Sequence, residues 1–293
     1  MGNNRATFIC SSEGACCPVS SYLAALYMEI QLSRQCNRLN LVQLSKYLGV
    51  DEAHVQSFYD ELLADSEFLN LLNSRMAYCR DVLNFSKGII GKGDVDSVDW
   101  FSFQRILLYV LIRLLKPENM LETGVYYGGN SIFMLHAFRK NGTGLLTSID
   151  LPDSKIESDR HPLVGETEHY DPTSKPGFLV PVELHKYWNL IEGSSLDVIP
   201  TLADKKFNLY LHDSEHSFDF LTQEMTLAHK ALTDDAIMIV DDINWSNGFF
   251  AFCVNNRYVP LLLTDNGKNG LLVRNGLISK KFAHNGTPAF TGS

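Results

Sequence analysis

From residue 119 onward, short apolar runs alternate with segments whose apolar residues recur at helical spacing. That alternation constrains the fold more than any other feature of the chain. Strands are expected at 119–123, 145–149, 189–192, 207–211 and 236–240. Between the last two, Leu221, Met225, Ala228 and Leu232 form a helical stripe. Strands and helices in strict alternation build a parallel sheet with helices on both faces. The end of the chain differs: Val259–Leu263, a turn at Asn266-Gly267 and Leu271–Val273 read as an antiparallel hairpin at the sheet edge. The expected fold class is α/β: a Rossmann-like doubly wound sheet, mostly parallel, with a C-terminal antiparallel hairpin and a helical N-terminal extension.

Residues 1–95 read as that helical extension. Tyr22, Leu23, Leu26 and Ile30 mark one apolar stripe, and Leu41, Leu44 and Leu48 a second. Gly49 stops the second helix. Asp51 can cap a third, with Val55, Phe58 and Leu62 on one side. The pair resembles a helix-turn-helix in outline, but Asp51, Glu52, Asp60 and Glu61 would repel phosphate. The extension is therefore expected to cap the second domain or form a homo-oligomer contact. The Gly- and Asp-rich connector 86–99 sets the boundary, and 96–293 forms the second domain. Its helix over Trp100–Leu115 carries Phe103, Ile106, Leu107, Val110 and Leu114. Residues 153–188 are long for a connection and read as a substrate loop.

The formal charge of −9 argues against a nucleic-acid partner, because phosphate binding needs basic surface. The polar first residues offer no signal-peptide core, and Ile106–Leu115 is too short to span a bilayer. A cytoplasmic protein without a membrane partner is expected. The six cysteines are read as free thiols, since Cys10, Cys16 and Cys17 have no second ligand pair at zinc spacing.

Chemistry concentrates where the strands end. In an open α/β sheet, ligands bind outside the carboxyl ends of the strands. The strand at 119–123 runs into Glu122-x-Gly124, then Gly128-Gly129, then a helix through Asn130 and Ser131. Glycines there let backbone approach a ligand, although the spacing is not G-x-G-x-x-G. The next strand ends in Asp150, about 20 residues on, where a carboxylate can accept two hydrogen bonds from ribose hydroxyls. Glu192-Gly193-Ser194-Ser195 could border a base ring. Asp213, Asp241 and Asp242 end two neighbouring strands, and three converging carboxylates invite a hard divalent cation. Hydrogen bonding to nearby backbone amides is the alternative. His216, three residues past Asp213, is a candidate general base, with Glu215 as its rival.

In this order the motifs resemble the class I S-adenosylmethionine-dependent methyltransferases. More narrowly, they resemble the bacterial group of macrocin-type sugar O-methyltransferases and cephalosporin hydroxylase-like proteins. The carrying segments are Leu121–Ser131, Ser148–Pro152, Gly177–Pro181 with Trp188 and Glu192–Ser195, His212–Phe218, and Asp241–Trp245. The resemblance implies that Glu122, Gly124 and Ser131 cradle the methionine part of S-adenosylmethionine. It implies that Asp150 holds the ribose and that Gly193 and Ser194 border the adenine. It further implies Mg²⁺ on Asp213, Asp241 and Asp242, with Asp213 bordering the cofactor and His216 as base. The acidic segment reads Asp-Ser-Glu-His here, where Asp-Gly-Asp-His is commoner.

The expected activity is O-methylation of a small-molecule hydroxyl on a sugar, polyol or natural product, assisted by Mg²⁺. His161, His169, Tyr170, Tyr187 and Trp188 are the candidates to cover the acceptor. The rivals are a metal-independent methyltransferase of the same fold and a non-enzymatic binding or regulatory protein. A nicotinamide dehydrogenase is disfavoured by the missing G-x-G-x-x-G.

Overall fold

The computed structural model describes residues 35–81, 102–152, 175–267 and 270–282. The stripe at Tyr22–Ile30, Cys10, Cys16 and Cys17, the connector 86–99, and His161, His169 and Tyr170 lie outside the described residues.

Seven strands form one sheet in the order β3-β2-β1-β4-β5-β7-β6. They are β1 Asn119–Thr123, β2 Leu145–Asp150, β3 Trp188–Glu192, β4 Phe207–His212, β5 Leu232–Val240, β6 Leu261–Gly267 and β7 Gly270–Ser279. The first five pair in parallel, and β7 runs antiparallel to both β5 and β6. The described helices are α1 through residue 48, α2 Glu52–Ala64, α3 Ser66–Asp81, α4 Phe103–Leu115, α5 Gly129–Asn141, α6 Ser195–Val198, α7 Phe218–Ala231 and α8 Gly248–Asn256. Among the described residues, no helix is long and apolar enough to cross a membrane.

The period-2 alternation of the strands sorts their side chains into two cores. Met120, Leu209, Leu211, Ile237 and Ile239 face the side covered by α4 and α5. Leu121, Tyr210, Met238 and Val240 face the side covered by α7 and α8. The same alternation sends Glu122 to the first side and Thr123 to the second, which matters for the site.

The helices before residue 82 share the first core. Leu41, Leu44, Val55, Tyr59, Leu62, Phe68 and Leu72 are buried against α4 and α5. Each such side chain contributes about 1.5–3 kcal/mol when fully buried. Gly49 ends α1 with φ +67°, and Asp51 caps α2 by accepting from the His54 amide at 2.9 Å. Arg113 of α4 grips Glu61 of α2 through Nε at 2.7 Å and Nη2 at 2.9 Å. This outer layer explains why α4 is buried on every side from Ile106 to Ile112.

Three features depart from expectation. Leu232, read as part of a helical stripe, is the first residue of β5, because α7 runs directly into the strand. Asn266 and Gly267 do not form the hairpin turn. They are strand residues, paired opposite Leu271 and Gly270. An Asn-Gly pair favours a type I′ turn, but the register set by Leu263 and Leu277, both buried, overrides it. Tyr187, a candidate acceptor contact, is buried in the first core beside Leu184.

Candidate active site

Four ladder bonds bring the strand ends to one level. Gly193 N–H donates to Asp150 O at 2.8 Å, Gly124 to Ile149 O at 3.0 Å, Asp213 to Thr123 O at 2.9 Å, and Asp241 to His212 O at 3.0 Å. Gly193, Gly124, Asp213 and Asp241 therefore start four loops side by side along the carboxyl edge.

The loop after β1 turns at Gly124 (φ +82°), Tyr126 (φ +52°) and Gly128 (φ +92°). A Cβ at Gly124 would overlap the Asp213 carbonyl, so only glycine fits there. Asp150 holds the loop in place. Its Oδ2 accepts from the amides of Val125 (2.9 Å) and Tyr126 (2.7 Å), and its Oδ1 from Leu151 (2.8 Å). Burial still leaves its pKa above the usual carboxylate value, with the amides pulling the other way. A carboxylate has about four acceptor positions. Three are used, so Asp150 has room for one further hydrogen bond rather than the two expected. The described end of the long 153–188 connection braces the turn: Gly177 N–H donates to Tyr126 O (2.7 Å) and Leu179 N–H to Tyr127 O (3.1 Å).

Behind the loop lies Glu122, fully buried. Ser131 Oγ donates to it at 2.9–3.0 Å and Ser148 Oγ at 2.5 Å, while Trp188 Nε1 donates to Ser148 Oγ at 2.8 Å. Burial pushes the Glu122 carboxyl up to about 8; the two serine hydroxyls oppose the shift and Asp150 adds to it. Trp188 thus supports Glu122 and is not a simple cover over an acceptor. Gly193 and Ser194 lead into α6, whose Asp197 and Val198 amides donate to the Ser194 carbonyl.

The three aspartates do converge. Burial and the Asp241 and Asp242 carboxylates raise the Asp213 pKa well above its usual range. Burial, then Asp242, raises Asp241 to about 6, with Arg274 opposing. Their partners include several side chains. Asn130 Nδ2 donates to Asp213 Oδ2 at 2.5 Å, and Asn275 Nδ2 to Asp241 Oδ1 at 2.8 Å. The Gln104 amide belongs with its nitrogen on both Asp241 oxygens (2.7 and 2.6 Å) and its oxygen on Asn130 Nδ2 (3.0 Å). The opposite orientation would set an amide oxygen against a carboxylate. Arg274 Nε lies 2.7 Å from Asp242 Oδ1 and 3.4 Å from Asp241 Oδ1, at an angle that makes an ion pair rather than a hydrogen bond. Its Nη2 donates to Asp242 Oδ2 at 3.3 Å. Asp242 itself is held at φ +48°, a region costly for most non-glycine residues.

These contacts do not fit the Mg²⁺ expected on Asp213, Asp241 and Asp242. Among the described residues, no group of three His, Cys, Asp or Glu side chains is disposed to hold a metal ion. The carboxylates face an arginine and three amides instead.

His216 is half-buried against Trp245, with ring centroids 5.9 Å apart, and against His212 at 5.2 Å. Its Nε2 is buried and has no hydrogen-bond partner among the described residues. Burial, then His212, pushes its pKa down to about 3, so the ring is neutral at pH 7. Glu215 is exposed and turned onto Ser217, accepting from its amide and hydroxyl at 2.9 Å each. That contact braces the entry to α7 and occupies both carboxylate oxygens of the rival base.

Sequence reasoning missed Glu224. This α7 residue is fully buried under the site and accepts from Thr123 Oγ1 (2.6 Å), Tyr210 OH (2.6 Å), Ser214 Oγ (2.9 Å) and Ser195 Oγ, with His212 Nδ1 at 2.6 Å. It ties the end of β1 and the segments after β3 and β4 to one point. A sequence signal existed: Glu224 sits on the same apolar stripe as Leu221, Met225 and Ala228.

Residues 121–243 match the family model described as a methyltransferase domain. The span is less than half of the chain, yet it runs from β1 to just past Asp242 and so contains every candidate site residue except Gln104, Trp245, Arg274 and Asn275. The O-methyltransferase hkm8 of Aspergillus hancockii is 22% identical over 140 residues, covering 48% of each chain. The protein thus spans about half the length of the curated relative it matches. Among solved structures, the chain resembles the O-methyltransferase TomG from Streptomyces achromogenes, in complex with SAM, at 18% identity (TM-score 0.47; 71% of this chain, 88% of the other). It also resembles an O-methyltransferase from Bacillus cereus in complex with SAH, at 17% identity (TM-score 0.48; 78% of this chain, 97% of the other).

Proposed function

We propose that the protein is an S-adenosylmethionine-dependent O-methyltransferase acting on a hydroxyl of a small molecule. The observation that carries the reading is the placement of a bare glycine turn, the loop-holding Asp150 and the buried Glu122–Ser131 pair at the ends of adjacent parallel strands. This geometry lies within the span that matches the methyltransferase family model.

The site's chemistry fits the cofactor. Glu122, Gly124 and Ser131 would hold its methionine part, through backbone that no Cβ obstructs and a carboxylate set just behind it. Asp150 would take one ribose hydroxyl on its remaining acceptor position. Gly193 and Ser194 would border the adenine. When bound, the cofactor supplies an electrophilic methyl group on a sulfonium centre.

The chain's own residues handle the acceptor. Neutral His216 offers a buried imidazole nitrogen as hydrogen-bond acceptor for the acceptor hydroxyl. With its pKa at about 3, full protonation before methyl transfer is uphill. The ring therefore orients the hydroxyl first and takes its proton as the new bond forms. Trp245 and Phe218, both exposed large side chains near this point in the chain, suit the apolar face of a sugar, polyol or aromatic acceptor.

Calorimetric titration with S-adenosylhomocysteine tests the cofactor site. Micromolar binding that disappears in Asp150→Ala is expected, and absence of binding by the wild type would refute the reading. His216→Ala is expected to bind the product unchanged and to lower kcat by about 10²- to 10⁴-fold once an acceptor is found. Any inflection of kcat/KM near pH 6 should persist in His216→Ala, because Asp241 rather than the neutral imidazole titrates there.

A further inference from the structure

The protein's fold and motif order lead one to expect a divalent cation at Asp213, Asp241 and Asp242, and the side chains there do not accommodate one. We propose that Arg274 takes the cation's place and that the site works without a divalent metal. The proposal rests on the methyltransferase reading only for what the cluster borders.

Backbone geometry puts Arg274 there. β7 is antiparallel to β5 with Val240 opposite Gly276, so the two residues beyond Val240 lie beside the two residues before Gly276. The Ile243 amide donates to the Arg274 carbonyl at 3.0 Å, which pins the arginine backbone at this level. Consecutive β7 residues then serve consecutive aspartates: Asn275 donates to Asp241, and Arg274 grips Asp242 while reaching Asp241. Gln104 from α4 closes the other side of Asp241. The partners come from two separate elements, β7 and α4, and each is a donor.

A guanidinium and a small cation cannot share this position. Mg²⁺ sits about 2.1 Å from carboxylate oxygens and demands near-octahedral geometry. Arg274 Nε lies 2.7 and 3.4 Å from the Asp242 and Asp241 oxygens that would have to ligate it. The planar, permanently charged guanidinium supplies fixed positive charge to paired carboxylates without any ion being recruited. Arg274 is thus a positioning residue: it sets Asp241 and Asp242 at the floor of the acceptor side and leaves proton removal to His216.

Mn²⁺ titration followed by electron paramagnetic resonance tests the assignment on the full chain. The wild type and Arg274→Lys are expected to leave Mn²⁺ free at micromolar concentration. Arg274→Met, confirmed folded by circular dichroism, is expected to acquire one Mn²⁺ per chain. One Mn²⁺ per wild-type chain at micromolar concentration, abolished by Asp241→Asn, would overturn the proposal. A folded Arg274→Met that gains no Mn²⁺ would overturn it as well. Calorimetry with S-adenosylhomocysteine in EDTA and in Mg²⁺ keeps the two readings apart. Binding in neither condition overturns the methyltransferase reading and leaves the Mn²⁺ result to decide Arg274. Binding in Mg²⁺ alone overturns the arginine assignment.

Discussion

Glu122 and Glu224 are both fully buried, both lie under the carboxyl edge of the sheet, and their carboxyls shift in opposite directions. Burial raises Glu122 to about 8, while Glu224 is held down at about 2 despite the same burial. They sit on opposite faces of β1, divided by the alternation of Glu122 and Thr123. Glu122 receives two serine hydroxyls and has Asp150 for a neighbour. Glu224 receives four hydroxyls and has His212 against it. The lesson is that burial alone does not decide the charge of a carboxyl; the number and kind of donors do. One face of the site keeps a carboxyl that is readily neutral and can respond to a ligand. The other keeps a fixed anion that ties loops together.

Substitutions can break this contrast. The largest effect is expected from Glu224→Ala, which strips the partner from His212 and four hydroxyls. Removing one member of a buried pair costs about 3–5 kcal/mol, measured here as a shift in the urea midpoint. Glu224→Gln keeps the shape but loses the charge, and should cost about 1.5–3 kcal/mol by the same measurement. Glu122→Gln should cost at most about 1 kcal/mol at pH 6, because the native carboxyl is already largely protonated there. Equal costs for the two Gln variants at pH 6 would erase the contrast. The smallest effect belongs to the surface pair Arg139–Glu67, 3.0 Å apart, where Arg139→Ala should stay within about 0.5 kcal/mol.

The pH dependence sharpens the same comparison, and its sign differs for the two groups. Glu122 is raised from 4.5 to about 8, so its contribution to stability is complete below 4.5 and is lost as pH rises through 8. Glu224 is lowered from 4.5 to about 2, so its contribution is present above 4.5 and is lost as pH falls through 2. Urea denaturation of Glu122→Gln should therefore show a flatter profile than wild type between pH 4.5 and 8. Glu224→Gln should be flatter only below pH 4.5. Parallel profiles for either variant and the wild type in its own window would contradict the assigned shift.

Much of the site was legible because parallel strands end in register. Gly124, Asp150, Gly193, Asp213 and Asp241 could be placed along one edge from strand lengths alone, and the structure sets them there. The partners of these residues were not legible. Gln104 lies in α4, and Arg274 and Asn275 lie in β7. Each reaches the site only through packing or antiparallel pairing, and their distances along the chain from the groups they serve carry no period. The expectation of a metal had the same origin: the sequence shows three convergent carboxylates but not the arginine that meets them. The hairpin turn failed for a related reason, since an Asn-Gly pair has a local preference while the register answers to buried leucines on the strands.

By itself, the sequence determined the alternation of strands and helices, the caps at Gly49 and Asp51, and which residues stand at the strand ends. Those features follow from local periodicity and from backbone rules that act over a few residues. Only the tertiary structure decided the protonation of Glu122, the fixed charge of Glu224 and the pairing of Asp241 and Asp242 with Arg274. Charge in a buried site depends on desolvation and on donors brought in from distant segments, and both exist only once the sheet has closed around them.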